Sequence, residues 1–173
     1  MFTFYIFVWR TFKISSLKHL LLITFLFVCI CLSNGQVNSP MVSLIGYDEV
    51  GYEQAISECP SLLLEVAGNS MDNAYKLWID MLSEIETSAS ESGVDLKGAK
   101  IWINLFWESD GSIKKVVYYP KPKSKNMDFS QVTNVLEKIS KNYNLPIGHT
   151  GCFSHFGSAS FPVHNKLVTT NEK

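Results

Sequence analysis

Between residues 101 and 119 the chain alternates. Ile101, Ile103, Leu105 and Trp107 fall on one side of an extended segment, and Trp102, Asn104, Phe106 and Glu108 fall on the other. That period of two belongs to a β-strand. Ser109-Asp110-Gly111 then turns the chain, since Asp bonds its own downstream backbone and Gly accepts turn dihedrals closed to other residues, and residues 113–119 run extended again. Two antiparallel strands joined by a tight turn are expected. Aromatics on both faces of the first strand place it centrally, covered by helix on one face and only partly wet on the other.

Helical spacing flanks this hairpin. Ala74, Leu77, Trp78, Met81, Leu82 and Ile85 recur on one stripe from Ser70 to about Ser88, with Ser70 as cap and Asp72 in the first turn. Asp128 opens a second helix, with Gln131 in the capping-box position and Phe129, Val132, Leu136, Ile139 and Tyr143 as its apolar stripe. Pro120 and Pro122 exclude a strand between hairpin and helix, and Leu145-Pro146 closes that helix. Residues 153–163 read as a last strand, residues 61–67 as a short strand ended by Gly68-Asn69, residues 41–47 as a short edge strand, and residues 49–58 as a weak helix stopped by Pro60. The class expected is α+β, a small antiparallel sheet with two helices on one face, in the order helix-strand-strand-helix-strand.

The segment Gly98-Ala99-Lys100-Ile101-Trp102-Ile103-Asn104-Leu105-Phe106-Trp107-Glu108-Ser109-Asp110-Gly111-Ser112-Ile113, with Met127-Asp128-Phe129 and Ser160-Phe161-Pro162-Val163, resembles the C-terminal domain of TonB-type energy transducers of the Bacteroidetes form. The likeness spans residues 62–164. The first segment is similar to the family's first strand, Asp-Gly turn and second strand, the second to the opening of its second helix, the third to its closing strand. The Tyr-Pro pair that usually follows the first helix and the Pro-rich linker are missing here. The resemblance therefore implies the fold, and a short form that lacks the means to transmit force.

The N-terminus carries the marks of export. Arg10, Lys13 and Lys18 precede an apolar run over residues 20–32, and Ser33-Asn34-Gly35 puts small residues where a signal peptidase cuts. Residues 1–35 are expected to be a signal peptide, with a retained signal anchor as the alternative and lipid attachment through Cys29 or Cys31 disfavoured by the lack of a lipobox. Residues 36–61 form a lead-in, 62–164 the domain and 165–173 a flexible tail. The chain has 15 Lys+Arg against 16 Asp+Glu, and losing the signal removes three cations and no acid. The remainder is mildly acidic, which gives no support for nucleic-acid binding. A periplasmic or secreted location follows, where Cys59 and Cys152 are free to pair as a disulfide or to remain two unrelated thiols.

Chemistry-bearing residues are sparse. His149, Cys152 and His155 are metal-ligand types at short spacing, but no fourth ligand stands out, and Cys152 and His155 would point to opposite faces of an extended strand. The same residues suggest a thiol nucleophile with a base, as in a small secreted enzyme. Asp80, Glu84 and Glu86 read as a solvated helix face. Trp78, Trp102 and Trp107 read as core rather than as a ligand-stacking surface, and Lys114, Lys115, Lys121, Lys123 and Lys125 as a solvated basic stretch. No cofactor is called for. The reading favoured is a non-catalytic protein-binding module of the cell envelope that takes a partner segment by strand addition. Gly157, Ser158, Ala159 and Ser160 are the small residues that would admit another backbone, and an outer-membrane or envelope protein is the expected partner. A structural envelope component is the further alternative, and the membrane enters only if the N-terminal segment is retained.

Overall fold

The computed structural model describes residues 39–125 and 128–163. The expected signal peptide over residues 1–35, Met127, His164 and the expected tail over 165–173 lie outside the described residues. The elements run β1 (Val42–Leu44), α1 (Glu49–Glu58), β2 (Ser61–Leu62), α2 (Leu63–Val66), α3 (Met71–Glu91), β3 (Lys100–Trp107), β4 (Ile113–Pro120), α4 (Phe129–Asn142) and β5 (Phe153–Ser160).

The class is α+β. The hairpin forms as its alternation requires, β3 against β4, with a register shift between Phe106 and Trp107. Gly111, at φ 87°, sits where a Cβ would stand 2.2 Å from the Leu145 carbonyl oxygen, so this turn position admits only glycine. β5 pairs antiparallel along the other side of β3 over its full length.

The sheet as a whole is mixed. Its order is β1-β4-β3-β5-β2, and both short edge strands are parallel to their neighbours. The expectation of a purely antiparallel sheet fails at these edges, which come from the lead-in. Because β1 and β2 occupy opposite edges, α1 between them must cross the sheet. Ten helical residues span roughly 15 Å, close to the width of the four strand gaps at about 4.8 Å each. The crossing puts α1 on the face opposite α3 and α4, so the helices do not all share one face.

The first face is a dry core. Trp78, Met81, Leu82 and Ile85 of α3, with Val132, Val135, Leu136 and Ile139 of α4, pack on Ile101, Ile103, Leu105 and Trp107. Ser70 caps α3 by accepting from the Asn73 N–H at 3.3 Å. The helix runs to Glu91, past the expected end near Ser88, because Gly93 at φ 71° provides its left-handed stop. Asp128 caps α4 through the Ser130 and Gln131 N–H groups. Tyr118 donates to the Phe129 carbonyl at 3.1 Å, tying the start of α4 to β4.

Residues 61–67 were expected as one strand. Only Ser61–Leu62 pairs, and Leu63–Val66 then winds into a single helical turn whose Glu65 carboxylate accepts from the Leu62 N–H at 3.3 Å. A short apolar run does not by its periodicity separate strand from buried helix.

Candidate functional site

β2 covers only the beginning of β5, pairing Ser61 with Phe153 and Leu62 with Ser154. The chain then leaves the sheet edge as α2, so among the described residues nothing pairs with β5 on its outer side from 155 to 160. Antiparallel pairing uses alternate residues. Phe161 donates to the Ala99 carbonyl at 2.9 Å, toward β3, so by alternation the backbone groups of Phe156, Ser158 and Ser160 point outward. The edge therefore offers a ladder of three N–H donors and three C=O acceptors unpaired among the described residues.

An apolar groove runs beside that edge. Leu62, Leu64, Met71, Tyr75, Trp78 and Phe156 line a volume of about 330 Å3, together with Ala74 and His155. Leu62, Met71, Tyr75 and Phe156 are 43 to 68% exposed, which marks a patch rather than a scatter of single surface apolar residues. The His155 ring packs on Trp78 with centroids 4.5 Å apart, and burial alone pulls its pKa below the ordinary 6.5. The imidazole in this wall is thereby held neutral at pH 7.

The four small residues expected to admit a partner divide by role. Ser158 and Ser160 are exposed at the open edge, whereas Ala159 is buried in the core. Gly157 is small for an internal reason: a Cβ there would stand 2.8 Å from the Trp78 ring. Sequence reasoning missed the groove. The signal was present in Met71 and Tyr75, one turn apart and off the buried stripe of α3.

His149, Cys152 and His155 are not brought together. Cys152 pairs with Cys59 as a disulfide, with Cα atoms 4.8 Å apart, so its sulfur is not available as a thiolate nucleophile. His149 packs edge-on against Phe153 at 6.2 Å, and His155 lies on the α3 side. Among the described residues no three His, Cys, Asp or Glu side chains gather as metal ligands.

The acidic trio of α3 is likewise dispersed. Asp80 pairs with Lys76 at 2.6 Å, and Glu86 accepts from the Val163 N–H at 3.0 Å. Glu84 lies toward Tyr143, whose phenol is pushed up to about 12 by burial and then by the charges of Glu84 and Asp80.

The basic stretch splits in two. Lys115, read from sequence as solvated, is buried on the second face, where its ammonium donates to Asp48 at 2.5 Å, to Ser39 at 2.6 Å and to the Pro40 carbonyl at 2.9 Å. All three of its protons are used, which is what makes a buried ammonium tolerable. Lys114 pairs with Glu108 and Glu58. Lys121, Lys123 and Lys125 make no ion pair among the described residues. Of the three tryptophans expected in the core, Trp78 and Trp107 are there, and Trp102 is 52% exposed.

Compared with protein-family models, curated proteins and solved structures, the chain finds no match.

Proposed function

We propose that the domain is an exported, non-catalytic binding module that captures an extended segment of a partner protein by strand addition at the outer edge of β5. One observation carries this reading: the unpaired edge at 155–160 lies directly beside the apolar groove of Leu62, Met71, Tyr75 and Trp78. Strand addition needs both parts. The backbone ladder gives affinity for any extended chain, and a pocket for alternate side chains selects among them. An added strand would send every second side chain into the groove, so the partner segment carries an apolar residue at alternate positions.

The core order α3-β3-β4-α4-β5 is also the order implied by the TonB C-terminal resemblance, and the proposed partner is accordingly an envelope protein. A Cys59–Cys152 disulfide, a bond that persists mainly in oxidising compartments, supports a periplasmic or secreted location.

The test uses a single backbone group. Ser158→Pro removes an outward N–H while leaving the β3 side of the strand untouched, a change that edge strands tolerate. Peptides selected from a random twelve-residue library against the wild-type domain should shift the amide resonances of Phe156, Ser158 and Ser160. They should lose binding at least tenfold to Ser158→Pro, with an unchanged unfolding midpoint. Selected peptides that bind the proline variant equally well would remove strand addition as the mechanism.

A further inference from the structure

The second face of the sheet is only half covered. α1 packs over Phe106 through Ala55, Cys59 and Tyr52. Beyond it, Trp102, Tyr119 and Phe156 stand 52, 50 and 48% exposed. Trp102 and Tyr119 are register partners on β3 and β4, and Phe156 is paired with Asn104, two residues along β3 from Trp102. The Asn104 amide donates to the Tyr52 hydroxyl at 2.6 Å, which sets a polar pair into the floor between the rings and α1.

Two cations, Lys100 and Lys121, stand at one end of this floor. Lys100 lies on the same face two residues before Trp102, and the Lys121 ammonium sits 4.2 Å from the centre of the Trp102 ring. Lys123 and Lys125 follow in a loop that binds the start of β3 through Lys125 N–H to Gly98 and Lys100 N–H to Ser124. Lys100, Lys121, Lys123 and Lys125 form no ion pair among the described residues, in contrast to Lys114 and Lys115.

We propose that this half-face is a binding trench for a polyanionic sugar chain. The shape suits a linear ligand: α1 stands along one side of the exposed rings, about 10 Å high, the diameter of a helix, so a chain can lie along it. The distribution of charge argues for a ligand charged more sparsely than nucleic acid. Phosphates recur at every nucleotide and would need cations along the whole path. Here the cations occupy one end, and the floor over Asn104, Tyr52 and Phe156 is neutral. Sugar rings offer a C–H face that packs on aromatic rings, hydroxyls that suit the Asn104–Tyr52 pair, and carboxylate or sulfate groups for the lysines. In the unliganded protein Lys121 lies over the Trp102 ring. An exposed cation–π contact is weaker than a charge-assisted hydrogen bond, so an anionic ligand draws the ammonium off the ring and stacks in its place.

This site adjoins the β5 edge, sharing Phe156 with its groove and meeting Ser158 across from Trp102, and its test reads sugar binding rather than peptide binding. Calorimetric titration with a heparin-derived octasaccharide and with an oligogalacturonate should show binding by at least one of them, and a neutral cello-oligosaccharide should bind at least tenfold more weakly. Trp102→Ala should reduce affinity at least tenfold, and the double variant Lys100→Gln with Lys121→Gln should reduce both affinity and its salt dependence, both with wild-type unfolding midpoints. The proposal is overturned if neither acidic sugar binds, or if Trp102→Ala binds as wild type, which would reduce the patch to nonspecific charge. It is equally overturned if oligo-dT or phosphatidylglycerol vesicles bind more tightly than the sugars with the same dependence on Trp102.

Discussion

The two faces of this sheet are built on different principles. On the first, α3 and α4 bury continuous apolar stripes against β3, β4 and β5, and stability comes from many interchangeable contacts. On the second, α1 is held by a few specific links of long sequence separation: the Cys59–Cys152 disulfide, the Lys115–Asp48 ion pair and the Asn104–Tyr52 hydrogen bond. A face made of contacts tolerates no gap, whereas a face made of links can leave half of itself open. The open half holds the exposed aromatics.

The largest effect should come from emptying the first face. Met81→Ala, at a site with no exposed surface, is expected to cost about 2 to 5 kcal/mol. Trp102→Ala, which removes a larger side chain from the second face, should change stability by less than about 0.5 kcal/mol. Urea unfolding of both variants measures the contrast, and equal losses would break the comparison.

Next in size is the disulfide. Replacing Cys59 and Cys152 together with Ala opens a link across 93 residues of chain, with an expected loss of about 2 to 4 kcal/mol. Hydrogen exchange should show α1 losing protection while α3 keeps most of its own. Uniform loss over both helices would mean that the second face is not separately anchored.

Acid should act on the two faces in different windows. His155, on the first face, has its pKa lowered from 6.5 by burial, so the unfolded chain binds its proton first. Its contribution is whole above about pH 6.5 and declines as the pH falls below that. Asp48, on the second face, is lowered from 3.8 to about 2, first by the hydrogen bond from Lys115 and then by that from Ser39. Its contribution is whole above about pH 4 and is lost as the pH falls through about 2. Stability measured against pH should lose its upper step in His155→Gln and its lower step in Asp48→Asn. A lower step that survives Asp48→Asn would detach the ion pair from the acid response.

The smallest effect is a gain. The Ser88 hydroxyl is buried in α3 with no hydrogen-bond partner among the described residues, so Ser88→Ala should raise stability by about 0.5 to 1 kcal/mol. A loss in thermal unfolding would show that the hydroxyl is satisfied and that the first face is less dry than its contacts suggest.

The sequence by itself determined the parts whose physics is local. The alternation from Ile101 to Trp107, the Asp110-Gly111 turn, the Ser70 and Asp128 caps and the stripes of α3 and α4 each follow from neighbours within a few residues. They stand in the structure, except that Phe129, expected on the α4 stripe, is 44% exposed at the start of the helix. Tertiary structure decided what depends on the lead-in's path. Only a crossing from one edge of the sheet to the other puts α1 on the second face, brings Cys59 to Cys152 and buries Lys115 against Asp48. It also decided where β2 stops. No periodicity in residues 61–67 says that pairing ends after Leu62, yet that departure frees the β5 edge and opens the groove of Met71 and Tyr75 beside it. Local patterns encode which face of an element is apolar; which neighbour covers that face, and how far along, is set by the geometry of the whole chain.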